Sequence, residues 1–119
     1  MSNRRPLVYV AGPLMSFGSQ ARNVRNGALA CLQLMHAEID AFCPHLSWFA
    51  DLFEDSPPGY ERWISLDFNI ISRCDALYRM EGVSPGADRE IELATAQGIP
   101  VFYSIDNVIR WAKSQKETS

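Results

Sequence analysis

Apolar residues fall along the chain in two alternating patterns. Four short runs are apolar almost without a break: Leu7 to Ala11, closed by Gly12-Pro13; Ile39 to Cys43, stopped by Pro44; Ala76 to Met80; and Val101 to Ser104, announced by Gly98-Ile99-Pro100. Runs of this length bounded by turn residues read as buried strands. Between them the apolar positions recur at helical spacing. Val24, Ala28, Cys31, Leu32 and Met35 mark a first helix and read as its core face. Tyr60, Trp63, Ile64, Ile70, Ile71 and Cys74 mark a second, and Ala87, Ile91, Leu93 and Ala94 a third. The third has Ser84 at its N-cap, Pro85 in its first turn and Gly98 just past its end. Strands alternating with helices predict an α/β fold: a small Rossmann-like or flavodoxin-like parallel sheet of four or five strands, flanked by helices on right-handed crossovers.

The chain has 119 residues, enough for one core, so residues 1–119 read as a single domain with a polar, frayed tail from Lys113 to Ser119. The stretch from His45 to Gly59 carries Trp48, Phe49 and Phe53 and is long for a connection; it reads either as a lid or as a short extra helix over the sheet edge. A net charge of -3, from 11 basic and 14 acidic residues, argues against a partner such as DNA or RNA. No apolar run reaches the roughly 18 residues of a membrane helix. Arg4 and Arg5 ahead of Leu7 to Met15 imitate a signal peptide, but Gly12-Pro13 interrupts the run and no clear cleavage site follows, so the chain reads as cytosolic. Cys31, Cys43 and Cys74 are odd in number and widely spaced, which fits buried reduced thiols rather than a disulfide or zinc framework. His36 and His45 alone form no metal motif, and neither G-x-G-x-x-G nor a phosphate-cradling P-loop is present. The expectation is therefore an activity without metal or cofactor.

Two acids break the pattern. On the third helix Asp88, Arg89, Glu92 and Thr95 form a polar side, but Glu90 falls inside the apolar arc between Leu93 and Ala94. On the second helix Asp67 lies in the middle of the apolar face. A carboxylate held there must be paired or its pKa must rise. Each acid taken alone could be structural, pairing for example with Arg79 or capping backbone amides. Two of them on helices that pack against one small sheet point to a shared cavity, and Glu90 also lies near a helix N-terminus that favours an anion. Two carboxyl groups without metal or cofactor suit glycosidic bond cleavage, one attacking or stabilising the anomeric carbon while the other protonates the leaving group. Tyr9, Trp48 or Phe49 could stack on a base, although Tyr9 reads equally well as a core residue. Ligands of open α/β sheets bind at the carboxyl ends of the strands, which places Gly12 to Ser19, Pro44 and His45, Glu81 to Asp88 and Ser104 to Asn107 there.

Taken in order, Tyr9-Val10-Ala11-Gly12-Pro13, Asn23, Pro44, Asp67, Cys74-Asp75-Ala76 and Ser84-Pro85-Gly86-Ala87-Asp88-Arg89-Glu90 resemble the nucleoside 2-deoxyribosyltransferase superfamily, which includes the 2'-deoxynucleoside 5'-monophosphate N-glycosidases. The resemblance runs from Tyr9 to about Phe102. It implies that Glu90 attacks C1' of the sugar to form a glycosyl-enzyme intermediate, with Tyr9 beside its carboxylate. It matches Asp67 to the aspartate that contacts the sugar or helps protonate the departing base, and Ser84 to a serine that contacts a 5'-phosphate. Gly12 and Pro13, with the loop to Asn23, would wall the sugar pocket, and His45, Gly86 and Asp88 join them as substrate-binding candidates. Asp75 reads as a turn residue. The implied partners are a small-molecule nucleoside or nucleotide and a second copy of the chain, in a homodimer or homotetramer that completes the pocket. The expected function is an N-glycosidase acting by hydrolysis or base transfer, with hydrolysis favoured because Ser84, Arg22 and Arg25 suit a phosphate. The alternatives are a nucleotide-sensing module of the same fold and a hydrolase of nicotinamide dinucleotides.

Overall fold

The computed structural model describes residues 4–14, 18–45 and 59–118. Within them four strands, β1 (Leu7–Ala11), β2 (Asp40–Phe42), β3 (Ala76–Arg79) and β4 (Val101–Phe102), alternate with four helices, α1 (Gln20–His36), α2 (Tyr60–Ile71), α3 (Pro85–Ala96) and α4 (Ile105–Thr118). All strand pairs are parallel and the order is β2-β1-β3-β4. The chain therefore folds as the α/β parallel sheet that the alternation predicts, with four strands and the flavodoxin-like order. Successive connections leave in opposite directions at β1 and β3, which makes the gap between their carboxyl ends the switch point of the sheet. α4 continues through the polar stretch from Lys113. The connection with Trp48, Phe49 and Phe53, read as a lid or extra helix, lies outside the described residues. Among those described, no helix is long and apolar enough to cross a membrane.

Side-chain alternation along β1 and β3 divides the core into two layers. Val8, Val10, Ala76 and Met80 face α1 and α4, packing with Ala30, Cys31, Leu34, Val108 and Ala112. Tyr9, Ala11 and Leu77 face the opposite way, toward Ile71 of α2 and Ala87 and Ala94 of α3. The three cysteines are buried and free.

The face of α1 differs from the expected one. Its buried residues are Asn23, Gly27, Ala30, Cys31 and Leu34, whereas Leu32 and Met35 are 52% and 53% exposed, and Val24 and Ala28 are half-buried. The apolar periodicity marks one arc of the helix, but close approach to the sheet selects the arc with the smaller side chains. At Gly27 an added Cβ would lie 2.7 Å from Cys43 Sγ. A helix seated that tightly must turn its bulkier Leu32 and Met35 outward.

The helix ends follow the sequence signals. Ser19 Oγ accepts from the Arg22 amide at 3.0 Å, and Ser84 Oγ from the Ala87 amide at 3.1 Å. Asp75, ahead of β3, accepts from the Leu7 amide at 2.8 Å and from Arg4 at 3.1 Å, tying the start of β1 to the turn after α2. The C-terminal end of α2 therefore lies at the amino edge of the sheet, and its N-terminal turns lie toward the carboxyl edge.

Candidate active site

Tyr9 is the central residue of β1, and its ring lies on the α2–α3 side, tilted against Phe42 at 6.0 Å between centroids. Its hydroxyl donates to Glu90 Oε2 at 2.7 Å. Glu90 comes from the second turn of α3 and is only 5% exposed. Asp67, from the middle of α2, is half-buried and near enough to Tyr9 and Glu90 to act on both electrostatically. Three elements thus converge on one polar cluster under an otherwise apolar layer.

The electrostatics follow from that burial. Removal from water pushes Glu90 up to about 8; the Tyr9 hydroxyl and the charge of Arg79 pull it down, and Asp67 pushes it up. Burial likewise lifts Asp67 to about 6, against the opposing influence of Glu90 and Tyr9. The Tyr9 hydroxyl is driven far above its ordinary range, first by burial and then by the neighbouring carboxyls, so it stays protonated and able to donate to Glu90. Both carboxyl groups are thus pushed above the ordinary carboxylate range, Glu90 further than Asp67, and they titrate as a pair. Such a pair offers one anion and one acid at the same place, which is the equipment of an acid-assisted displacement at carbon.

The other sequence-predicted positions lie around this cluster in distinct roles. Gly12 and Pro13 are buried at the carboxyl end of β1, Gly12 against the Met80 side chain. His45 is buried, and its Nε2 donates to the Pro13 carbonyl at 2.7 Å; burial lowers its pKa, which keeps the ring neutral near pH 7. Asn23 Nδ2 donates to the Leu14 carbonyl at 2.8 Å. These three contacts fasten the connection between β1 and α1 on the side of the sheet opposite Glu90. Ser84 is buried at the head of α3, where its hydroxyl serves as the helix cap, and Gly86 follows in the first turn. Asp88 faces outward and pairs with Arg79 at 3.3 Å. Arg79 also donates to the Met80 carbonyl and sends its field to Glu90. It is the partner imagined for the buried acids, but its ion pair is with Asp88.

Two features were not legible in the sequence. Arg89 clamps Glu61 with two bonds, at 3.0 and 3.2 Å, and lies over the Phe68 ring, so it bridges the helices that carry Asp67 and Glu90. The sequence shows both charges on polar faces but not that the faces meet. A cleft of about 700 Å³ also opens past the carboxyl ends of β1, β3 and β4, on the α1–α4 side, lined by Arg22, Asn26, Gln33, Glu81 and Tyr103 among others. It lies across the sheet from the Tyr9–Glu90–Asp67 cluster; of the substrate-binding candidates it takes in Pro13 and Asn23, and of the other positions expected at the carboxyl edge or beside a phosphate it takes in Gly18, Arg22, Glu81, Ser104 and Ile105.

The family described as Domain of unknown function (DUF7768) matches residues 6–104. The chain belongs to this family. This DUF7768 chain is similar to a solved structure of a conserved protein from Enterococcus faecalis V583, 30% identical, with a TM-score of 0.67 over 82% of this chain and 62% of that one. The chain thus spans less than two thirds of that protein's length. A 2-deoxyribosyltransferase from the psychrotolerant bacterium Bacillus psychrosaccharolyticus is 20% identical, with a TM-score of 0.58 over 80% of this chain and 69% of that one. That likeness shows a shared fold. No curated protein matches the sequence.

Proposed function

We propose that this DUF7768 chain cleaves the base–sugar bond of a nucleoside, deoxynucleoside or the corresponding 5'-monophosphate. Glu90 is the nucleophile, Asp67 the acid and then the base, and Tyr9 the hydrogen-bond anchor of the Glu90 carboxylate. The observation that carries this reading is the Tyr9–Glu90 hydrogen bond in the buried layer, with Asp67 beside it and burial raising the pKa of both carboxyl groups. The resemblance to nucleoside 2-deoxyribosyltransferases and the fold shared with one of them support the same chemistry.

The proton arrangement sets the first step. Burial holds the Glu90 proton to the higher pH, so that proton must pass to Asp67 before Glu90 can attack. Tyr9 and Arg79 both favour the resulting Glu90 anion. A Glu90 carboxylate oxygen then bonds to C1', the base–sugar bond breaks, and the leaving base takes the proton of Asp67. Water, deprotonated by the Asp67 carboxylate, attacks C1' and releases Glu90; a second base in place of water gives transfer. The capped N-terminus of α3, with Ser84 and Gly86, suits a 5'-phosphate. Gly12, Pro13, Asn23 and His45 shape the adjoining connection, and Asp88 acts from outside through Arg79. A homo-oligomer completing the pocket belongs to the same proposal.

The test is direct. Nucleosides and their 5'-monophosphates are incubated with the protein and free base is followed by chromatography; a sugar adduct is sought on Glu90 by peptide mass spectrometry. Glu90→Ala is expected to lose turnover by about 1000-fold or more with its circular dichroism retained. Turnover that survives this change overturns the assignment. A sensing role is favoured by one feature, the burial that raises the Glu90 pKa and so disfavours the nucleophilic anion; binding without base release would establish it. Light scattering reads the oligomeric state.

A further inference from the structure

Trp63 carries a polar atom that the proposed reaction leaves unused. Its indole Nε1 is buried and, among the described residues, has no hydrogen-bond partner. An indole N–H is a donor only, and a buried donor without an acceptor is costly enough that most such groups in folded proteins are paired. Trp63 lies four residues before Asp67 on α2. Side chains at that spacing stand one above the other on a helix, about 5–6 Å apart at Cβ. Because the N-terminal turns of α2 lie toward the carboxyl edge, Trp63 stands one turn nearer than Asp67 to the edge where ligands enter such sheets.

We infer that Trp63 is a specificity-determining residue, its indole N–H donating to a carbonyl oxygen on the leaving base beside the atom that Asp67 protonates. This rests on the reading of Asp67 as the acid. The base that offers both groups on one edge is a 6-oxopurine, with ring nitrogen N7 and oxygen O6 as neighbouring acceptors. Adenine keeps the N7 acceptor but presents an amino donor where the oxygen would be. Against Trp63 that places donor against donor, and a buried hydrogen-bonding group rejects a ligand that leaves it unpaired far more strongly than an apolar pocket rejects a misfit. The site thus selects hypoxanthine- or guanine-type bases over adenine.

The experiment compares 2'-deoxyinosine with 2'-deoxyadenosine, which differ in the oxo or amino group at C6 and in the N1 proton that goes with it, in the unmodified protein and in Trp63→Phe. The phenyl ring keeps much of the packing and removes the donor, and a melting curve checks that the variant folds. The unmodified protein is expected to favour deoxyinosine in kcat/KM by about 10-fold or more, and Trp63→Phe to lower that ratio by at least about 10-fold. A general loss of packing would slow both substrates alike and leave the ratio unchanged, which overturns the inference, as does a preference of the unmodified protein for deoxyadenosine. The same ratio read in Kd by calorimetry separates the two levels of the argument. Binding that shifts with Trp63→Phe while no base is released refutes the reaction and upholds the donor; no binding of either nucleoside refutes both.

Discussion

Glu90 and Asp67 could be found in the sequence because a carboxylate inside an apolar arc violates the pattern of everything around it. Tyr9 could not be told from a core tyrosine, since its strand is apolar throughout; its role rests on a 2.7 Å bond to a residue 81 positions away. Tyr9→Phe removes that donor. A hydrogen bond to a charged group contributes about 1.5–3 kcal/mol, so kcat/KM should fall about 10- to 100-fold. With the anion less favoured, the Glu90 pKa should rise further, carrying the basic limb of the pH–rate profile upward. The unmodified profile should be bell-shaped, highest between about pH 6 and 8: below that window both carboxyl groups are protonated and no nucleophile exists, and above it no acid remains. The same group governs stability in the opposite sense to an ordinary carboxylate. The folded pKa of Glu90 lies above the unfolded one, near 4.5, so its contribution is fully present below about pH 4.5 and is lost as pH rises to about 8. Glu90→Gln, which cannot ionise, should therefore gain on the unmodified protein across that range, by a few kcal/mol at most (about 1.4 kcal/mol accompanies each pH unit), and show no such gain at pH 4. Urea melts at several pH values read the difference; a gap that is constant with pH would refute the raised pKa.

At the scale of elements, α1 shows where periodicity misleads. Its apolar residues repeat at helical spacing on two arcs, and the pattern does not say which arc meets the sheet. Packing chose Gly27, Ala30, Cys31 and Leu34, because the sulfur of Cys43 and the ring of His45 come up against Gly27. Leu34→Ala should cost about 2–5 kcal/mol in urea unfolding, and Leu32→Ala, on an exposed position, about 0.5 kcal/mol or less. Gly27→Ala gives a sharper test. Helix propensity alone would make it stabilising by about 1 kcal/mol, but a Cβ 2.7 Å from Cys43 Sγ forces the helix off the sheet. We expect destabilisation of about 1–3 kcal/mol, relieved when Cys43→Ala is added. α2 and α3 present a different case. Their registers were legible from Ser84, Pro85 and the apolar repeats, whereas their mutual placement, marked at the surface by the Arg89–Glu61 pair, comes from packing that no local pattern reports.

At the scale of the whole molecule, β1 is hydrogen-bonded on both sides, to β2 and β3, and it carries Tyr9. The inner strands β1 and β3 should form the last unit to open: in native-state hydrogen exchange their amides should exchange only through global unfolding, and those of the two- and three-residue edge strands β4 and β2 earlier. Equal protection across all four strands would contradict this. The alternation of apolar runs and helical repeats determined the fold class, since a buried parallel sheet needs continuous apolar strands and amphipathic crossovers, and both are written locally. It also marked Glu90 and Asp67 as misplaced charges. Tertiary structure decided what a one-dimensional pattern does not contain: which arc of α1 faces inward, that one tyrosine hydroxyl and two carboxyl groups come together between β1, α2 and α3, and that the Trp63 N–H, one turn before Asp67, has no acceptor among the described residues. Those facts depend on distances between residues far apart in the chain, fixed only when steric fit and hydrogen bonding bring the helices onto the sheet.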